Sequence, residues 1–198
     1  MKIGIIGSGV VAQTLAAGFL EQGHDVALGT RDASKLADFA AKHPAARVAS
    51  TVDAAAFGDV AVLAVKGIDG KPVIDATNPI ADAAPVDGVL SYFTGRNESL
   101  IEWLQEAHPK ARFVKSFNSV GAARMIAPDF AGGRPTMFIA GNDADAKATA
   151  AKLLAQVGWD VADMGSAVAA RAIEPLAMLW CIPGFRENSW THAFKLLR

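Results

Sequence analysis

Two glycines close to the start of the chain carry the first chemical signal in the sequence. A G-x-G-x-x-A pattern occupies Gly7-Ser8-Gly9-Val10-Val11-Ala12, after an apolar β-branched run and before a run with helical spacing. In such a turn Gly7 permits the tight bend, Gly9 lets the backbone approach a pyrophosphate, and Ala12 lets the helix pack closely on the sheet. The N–H groups at the helix start then attract phosphate. We interpret the pattern as a dinucleotide-binding turn, with an ordinary strand–helix turn as the alternative.

The residues after the second predicted strand indicate which dinucleotide binds. A site for NAD places an acidic residue there to accept from the ribose hydroxyls, whereas this chain has Thr30 and Arg31, with Lys35 one helical turn later. A hydroxyl, a guanidinium and an ammonium favour a 2′-phosphate, and each charge-assisted bond contributes about 1.5–3 kcal/mol. The sequence therefore predicts NADP(H). A surface pair between Arg31 and Asp32 is the alternative, although Asp32 is expected to cap the helix that starts near Ser34.

The elements that must position these residues alternate along the chain, with short apolar runs between segments of helical spacing. The predicted strands are 2–6, 26–28, 47–49, 60–65, 73–76, 112–116, 136–140 and 159–162, and the predicted helices are 10–22, 34–42, 53–57, 99–107, 121–126, 143–156 and 166–179. This order predicts an α/β fold, a Rossmann-type doubly wound, mainly parallel sheet. We expect a single dinucleotide-binding domain over residues 1–198, in which residues 166–198 form a short C-terminal helical extension.

One junction in this order is too short. Two buried-looking runs end at Val65 and begin at Val73, with only residues 66–72 between them. A crossover between parallel strands normally needs a dozen residues or more. Either one of the runs is not a parallel strand, or a helix-bearing segment is missing between Lys66 and Pro72. We favour the second explanation, which predicts a gene product longer than 198 residues and is tested by intact-mass measurement.

Composition excludes several classes of protein. The formal net charge is −1 and the four histidines lie far apart, which argues against nucleic-acid binding and against a metal site. Cys181 is the only cysteine, so we expect no disulfide, and we interpret this thiol as packing rather than as a nucleophile. The longest apolar stretch, residues 175–185, is shorter than the roughly 20 residues of a membrane span. We expect a cytoplasmic protein with no membrane segment.

With these residues identified, the chain resembles the NADP-dependent oxidoreductases that work with the deazaflavin coenzyme F420. The same domain occurs in the cytosolic part of membrane ferric reductases. The resemblance lies in KIGIIGSG, GHDVALGTR, VIDATNP, KSFNSVGA and MFIAGND, and in the C-terminal EPLAMLW and AFKLLR. These motifs occur in order and cover nearly the whole chain apart from the short junction.

The resemblance implies a division of the cofactor site among several loops. It assigns the pyrophosphate to Gly7, Ser8, Gly9, Val10 and Val11, and the 2′-phosphate to Thr30, Arg31 and Lys35. It places Ala64, Val65 and Lys66, together with Thr77, Asn78 and Pro79, along the nicotinamide half of NADP(H). Residues 119–123, including Ala122, are expected to approach the nicotinamide from the neighbouring strand end.

The expected reaction is hydride transfer between NADP(H) and a small-molecule redox acceptor, either deazaflavin F420 or a flavin such as FMN or FAD. Such a transfer needs positioning of the two rings and no protein nucleophile. Asn118 is the one candidate for a direct role, through a hydrogen bond to the carboxamide or the acceptor ring, or else it satisfies backbone groups. An imine or hydroxyacid reductase is one alternative function, and an NADPH sensor without turnover is another.

Three further expectations concern the second half of the chain. Tyr92 and Phe93 form either a lid over the acceptor or part of the core. Arg171 and Glu174 are one turn apart and are expected to pair on a helix surface. The aromatic C-terminal region, which contains Trp180, Cys181, Phe185 and Trp190, is interpreted first as a dimer or domain contact and second as a wall of the acceptor site. We therefore expect a homodimer.

Overall fold

The computed structural model describes residues 1–62 and 70–198 of the chain. The described part contains eight strands, β1 Lys2–Ile6, β2 Asp25–Gly29, β3 Arg47–Ala49, β4 Val60–Val62, β5 Pro72–Asp75, β6 Arg112–Lys115, β7 Thr136–Ile139 and β8 Asp160–Asp163. The α-helices are α1 Val10–Glu21, α2 Ala37–Lys42, α3 Thr51–Phe57, α4 Leu100–Ala107, α5 Ala144–Gln156, α6 Ala170–Ile173 and α7 Pro175–Glu187. The predicted cofactor residues Ala64, Val65 and Lys66 lie outside the described residues.

Six strands form one parallel sheet in the order β3-β2-β1-β4-β5-β6. The direction of winding reverses between β1 and β4, so that the chain first builds one half of the sheet and then the other. This is the arrangement of a Rossmann-type α/β protein, in which ligands bind beyond the carboxyl ends of the strands near the reversal. The predicted fold class is therefore confirmed.

The sheet is covered on both faces because successive strand residues point to opposite sides. In β6, Phe113 packs with one apolar cluster and Val114 with the other, and in β5 Val73 and Ile74 divide in the same way. Strands buried on both faces appear in a sequence as continuous apolar runs. That property explains why these strands were recognisable from the sequence alone.

The short junction connects two neighbouring parallel strands. β4 and β5 pair in parallel, with Ala61 opposite Val73 and Val62 opposite Ile74. The explanation in which one of the two runs is not a parallel strand is therefore wrong. The explanation in which a segment is missing between Lys66 and Pro72 stays a prediction, because most of that connection lies outside the described residues.

Two helical predictions need correction. The predicted helix at 121–126 is only a short 3-10 turn, Ala122–Arg124. The predicted helix at 166–179 is divided into a 3-10 turn, α6 and α7, and α7 continues to Glu187. Pro175 begins α7 instead of interrupting a helix, because the first turn of a helix does not need the N–H that proline lacks.

The last two strands form a separate parallel pair beside the main sheet. An antiparallel bridge between Lys115 and Ala140 joins the pair to β6. The C-terminal segment then runs along the free edge of β7, where the Thr136 N–H donates to the Phe194 carbonyl at 2.9 Å. The C-terminus is thereby tied to the body of the protein.

Within the described residues, one helical stretch, Ala167–Glu187, is long and apolar enough to cross a membrane, with a mean hydropathy of 1.3 over its most apolar window. A core helix of a protein that never enters a membrane meets the same criterion. In this structure Ala170, Ile173, Ala177 and Trp180 of the stretch are buried against the rest of the chain. The predicted absence of a membrane segment was based on the shorter apolar stretch 175–185, and it stays a prediction.

Candidate functional site

The glycine turn, residues 7–12, joins β1 to α1 at the carboxyl edge of the sheet. The Gly7 N–H donates to the Gly29 carbonyl at 2.9 Å, and Gly7 has a φ of 144°, a conformation that side chains rarely adopt. Gly9 has ordinary extended dihedrals, and a Cβ added to it meets no atom within 4 Å. The protein itself therefore does not require glycine at position 9. The space beside its Cα is open.

The start of α1 receives no capping hydrogen bond from a side chain in the described part of the chain. Gly9 is its N-cap, but no described side chain caps the helix and no acidic residue lies in its first turn. A helix leaves its first N–H groups unsatisfied, and they carry a partial positive charge. Val10 in this first turn is 72% exposed, and Ser8 is held by Gln13, whose Nε2 donates to the Ser8 carbonyl at 2.8 Å. These features fit the approach of a phosphate.

The loop after β2 lies next to the glycine turn. The sheet register places Gly29 opposite Ile6, so Gly7 and Thr30 begin neighbouring loops at the same edge. Asp32 caps the following 3-10 turn, as predicted, by accepting from the Ser34 N–H at 3.0 Å. Hydrogen bonds from Ser34 lower the pKa of this carboxyl, which keeps it ionised.

Arg31 and Lys35 are both exposed beside this cap. Within the described residues Arg31 makes no ion pair, so the predicted alternative pairing with Asp32 is not present. Thr30 uses its Oγ1 locally, in hydrogen bonds with the backbone of Asp32 at 3.1 Å. Two cations and a hydroxyl therefore stand together at the edge of the glycine turn.

The loops after β5 and β6 meet at the other half of the carboxyl edge. Asn78 Nδ2 donates to the Asn118 carbonyl at 2.8 Å, and Asn118 Nδ2 donates to Asn78 Oδ1 at 3.2 Å and to the Ile173 carbonyl at 2.9 Å. The two amides therefore link both loops to the end of α6. Asn118 also satisfies a backbone group, as one of the sequence alternatives predicts. Its Oδ1 is buried with no partner among the described groups.

Backbone strain accompanies this arrangement. Phe117 is fully buried with a φ of 58°, a left-handed conformation that costs a residue other than glycine about 1–3 kcal/mol. The sharp bend turns the chain after β6 so that Asn118 faces Asn78. Strained residues of this kind concentrate at functional sites, and this one lies where ligands bind in Rossmann-type proteins.

Beneath the two amides lies the buried charge cluster, which consists of Lys115, Asp75 and Glu174. Lys115 ends β6, Asp75 ends β5, and all three residues are at most 2% exposed. Lys115 Nζ donates hydrogen bonds to Asp75 Oδ2 and to the Thr77 carbonyl at 2.9 Å, and it forms an ion pair with Glu174 Oε1 at 2.8 Å. The ammonium therefore contacts three oxygen atoms.

The two carboxylates of the cluster are equally well satisfied. Asp75 Oδ1 accepts from the N–H and the Oγ1 of Thr77. Glu174 Oε2 accepts from the Leu100 N–H at 2.9 Å and its Oε1 accepts from the Ile101 N–H at 3.2 Å, both in the first turn of α4. The cluster thus joins β5, β6, α4 and the junction between α6 and α7.

The predicted surface pair between Arg171 and Glu174 is wrong. Arg171 instead pairs with Glu102 of α4, with its Nη2 2.7 Å from Glu102 Oε1, while Glu174 points inward. Helical spacing alone does not tell which face of a short helix turns toward the core. Packing of α6 against α4 decides it here.

Tyr92 is half-buried beside the cluster, and its neighbour Phe93 is exposed and packs on Trp103. Tyr92 OH donates to the Glu174 carbonyl at 2.8 Å. Burial, assisted by the charge of Glu174, raises the pKa of Tyr92, so its phenol stays protonated. A cavity of about 230 Å³ opens next to Tyr92 and is also lined by Arg96, Arg171 and Met178.

The remaining predicted site residues lie around the same edge. Pro79 is buried and its carbonyl already accepts from the Phe93 N–H at 2.9 Å, whereas Ala122 begins the short turn after β6 and is partly exposed. Cys181 is half-buried and desolvation raises its pKa, which agrees with a packing role. No group of three metal-binding side chains occurs within residues 1–62 and 70–198.

Sequence reasoning missed the buried charge cluster. The predicted strands 73–76 and 112–116 contain Asp75 and Lys115 and assign them no role, although a charged residue directly after an apolar run is itself a signal. Two such residues on neighbouring parallel strands must lie side by side at the carboxyl edge. Glu174 offered no comparable signal, because it follows an ordinary amphipathic segment.

The fold and the open glycine turn define the class of the protein, a Rossmann-type α/β protein with the geometry of a dinucleotide-binding fold. The family model described as "NADP oxidoreductase coenzyme F420-dependent" matches residues 2–90. A crystal structure from Arthrobacter sp. FB24, provisionally assigned as an F420-dependent NADP-reductase, is 31% identical over 100% of both chains, with a TM-score of 0.91. The chain belongs to the family of coenzyme F420-dependent NADP oxidoreductases.

Two further proteins are more distantly similar to this chain, one in sequence and one in fold. Metalloreductase STEAP3 of Rattus norvegicus is 28% identical over 92% of this chain, which spans only 38% of that relative's length. The imine reductase of Streptomyces aurantiacus has a TM-score of 0.65 at 16% identity, covering 93% of this chain and 63% of that one. At that identity the second comparison shows the fold alone.

Proposed function

We propose that the protein transfers hydride between NADP(H) and a deazaflavin or flavin acceptor. The observation that carries the proposal is the glycine turn, where a helix start without a cap faces open space beside Gly9, next to exposed cations after β2. Family membership supports NADP(H) as the nucleotide. We infer a single dinucleotide-binding domain with a helical C-terminal extension.

The residues at the sheet edge fit NADP(H) in two parts. The N–H groups of residues 8–11 would bind the pyrophosphate, because the start of α1 offers donors that no described group of the protein uses. Thr30, Arg31 and Lys35 would bind the 2′-phosphate. The absence of an acidic side chain at positions 29–31 removes the repulsion that an NAD site would impose.

The nicotinamide half would then lie over the loops after β5 and β6. Asn78, Pro79 and Ala122 border this region, and Asn118 holds the first loop in place through Asn78. NADPH supplies the hydride when bound, and the acceptor ring takes that hydride together with one proton from solvent. The protein's part is to orient the two rings and exclude water, which requires no nucleophile.

We place the acceptor on the side of Tyr92, where the cavity of about 230 Å³ adjoins the loop that holds Asn78. The acceptor itself is tested by anaerobic loss of NADPH absorbance with the purified protein. Deazaflavin F420, FMN, FAD and a ferric chelate are compared in parallel, the last because one relative is a metalloreductase. Rapid oxidation with deazaflavin or flavin supports the proposal.

Two results would overturn it. Tight NADPH binding with no turnover above the rate without enzyme, for every acceptor, would make the protein a sensor of the nucleotide. Turnover with cyclic imines or hydroxyacids alone would make it a small-molecule reductase. The imine reductase shares the fold, and this outcome would show that the shared architecture extends to the reaction.

We further propose that the protein is a cytoplasmic homodimer. α7 exposes Leu179 and Phe185, at 55% and 49%, and Trp190 lies just beyond its end. Exposed apolar side chains grouped on one element are typical of interaction surfaces. Light scattering should give twice the chain mass, and Leu179→Glu should give the monomer mass. A monomeric wild-type protein at high concentration contradicts the proposal.

A further inference from the structure

The buried charge cluster contains two carboxylates and one ammonium, and this imbalance is unusual. Lys115, Asp75 and Glu174 are at most 2% exposed, so water does not screen them. Ionised side chains are rarely buried unless their charges are compensated, because desolvation costs several kcal/mol for each ion. Two carboxylates and one ammonium have a formal net charge of −1.

The compensation within the described residues is incomplete. The first turn of α4 donates two N–H groups to Glu174, and a helix start carries about half a positive charge. The nearest basic side chain of α6, Arg171, is already neutralised by Glu102 on the surface. A negative charge of about one half therefore remains at the carboxyl ends of β5 and β6.

This location lies under the proposed nicotinamide region. Lys115 Nζ holds the Thr77 carbonyl, and the next residue, Asn78, belongs to the loop that borders that region. β5 is two strands away from β1, whose glycine turn faces the pyrophosphate. Since neighbouring strands are about 4.8 Å apart, the cluster is on the order of 10 Å from the turn.

We propose that the buried charge cluster biases the bound nucleotide toward its oxidised form. This inference rests on the proposed function. The ring of NADPH is neutral, and loss of hydride, with its two electrons, leaves the ring of NADP⁺ with one positive charge. A fixed negative charge beneath the ring stabilises that product and leaves the neutral ring unaffected, so it favours donation of the hydride.

Coulomb's law gives the scale of the effect. At about 12 Å and an effective dielectric constant of about 20, the unit charge that one carboxylate carries changes the equilibrium on the order of tenfold, and the residual half charge of the intact cluster changes it about threefold. For a two-electron couple, tenfold corresponds to about 30 mV in the reduction potential of the bound nucleotide. The cluster touches neither ring, so its role is electrostatic, and Lys115, Asp75 and Glu174 are positioning residues.

The test is the ratio of two dissociation constants, one for NADP⁺ and one for NADPH, measured by calorimetry on the full chain. Glu174→Gln and Asp75→Asn each remove one negative charge with little change of shape. We expect each variant to raise the ratio of the NADP⁺ constant to the NADPH constant about tenfold. Glu102→Gln, which removes a carboxylate from the solvent-facing side of the same turn of α4, should change the ratio less than twofold.

A purely structural role predicts something different, an equal weakening of NADP⁺ and NADPH. Equal weakening, or an unchanged ratio in a folded variant, would overturn the inference. If one variant fails to fold, the other decides. If both variants fail to fold, the wild-type protein is measured instead, and it should bind NADP⁺ at least as tightly as NADPH. A severalfold preference of the wild type for NADPH would overturn the inference. Absence of binding of either nucleotide to the wild type would instead refute the proposed function.

Discussion

The glycine turn and the buried charge cluster sit at the same edge of one sheet, yet they are built in opposite ways. The turn consists of consecutive residues, has no side-chain cap among the described groups, and leaves open space beside Gly9. The cluster joins residues far apart in the chain, is almost fully buried, and surrounds the Lys115 ammonium with three oxygen atoms. One region offers unsatisfied groups to a ligand, whereas the other holds the loops and their charge in place.

This difference predicts that substitutions in the two regions affect different measurements. Changes at the open position Gly9 of the glycine turn should alter nucleotide affinity and leave the free energy of unfolding unchanged. Changes in the cluster should alter that free energy first. The experiments below test this separation.

The largest effect is expected for Lys115→Met. Removing the ammonium leaves two buried carboxylates without their cation, and breaking a buried ion pair in this way costs about 3–5 kcal/mol. Denaturant unfolding at neutral pH measures the loss. Lys147→Met is the matched control, because Lys147 also pairs with a carboxylate, at 2.9 Å, but Asp163 is 49% exposed. That exposed pair should contribute less than about 1 kcal/mol to the free energy of unfolding. Equal losses of this free energy in the two variants would contradict the assignment of Lys115 to a buried charge cluster.

Gly9→Val should weaken NADPH and NADH together by about a hundredfold or more, equivalent to about 2.7 kcal/mol. The new side chain projects into open space that we assign to the pyrophosphate, and the extended dihedrals of Gly9 suit valine. Calorimetric titration and thermal unfolding are compared, with Gly132→Val as the control at a second open glycine. Unchanged affinity, or a large fall in Tm, would show that the glycine serves the fold instead.

Arg31→Ala should weaken NADPH by about tenfold to a hundredfold, because one charge-assisted hydrogen bond contributes about 1.5–3 kcal/mol. NADH lacks the 2′-phosphate and should be affected less than twofold. Arg134→Ala removes another exposed arginine, far along the chain, and controls for net charge. Equal losses for NADPH and NADH would remove Arg31 from the phosphate site.

The smallest effect concerns the surface pair of Glu102 and Arg171. A hydrogen bond from Arg171 lowers the pKa of Glu102 below its ordinary value of 4.5. A lowered pKa in the folded state stabilises the protein above the ordinary value, and this contribution disappears as the pH falls through the lowered one. Glu102→Gln should therefore cost a few tenths of a kcal/mol at neutral pH and nothing in acid.

Unfolding measured from neutral pH downward tests this difference, with Glu106→Gln on the same helix as the control. A gap between wild type and Glu102→Gln that persists or widens in acid would show that the carboxylate acts in some other way.

The sequence predicted most of the fold because the information was local. Buried strands such as β1 and β4 consist almost wholly of apolar residues, which are visible in the sequence as short continuous runs. The predicted helix at 166–179 did not anticipate the division before Pro175, because a proline can either interrupt a helix or begin one. The predicted helix at 121–126 is only a 3-10 turn, Ala122–Arg124.

The same distinction between local and long-range information applies to the candidate site. The sequence by itself determined the glycine turn, the cations after β2 and the missing acid, because each is a short stretch whose function depends on its own backbone. Only the tertiary structure decided that Lys115 pairs with Asp75, 40 residues away in the sequence. It also decided that Glu174 forms its ion pair with Lys115 and not with Arg171. Helical spacing fixes which residues share a face of α6, but packing against α4 decides which face turns inward. A buried ionised side chain must pair with an opposite charge because desolvation of an unpaired ion costs several kcal/mol, and the tertiary fold determines which opposite charge is near enough.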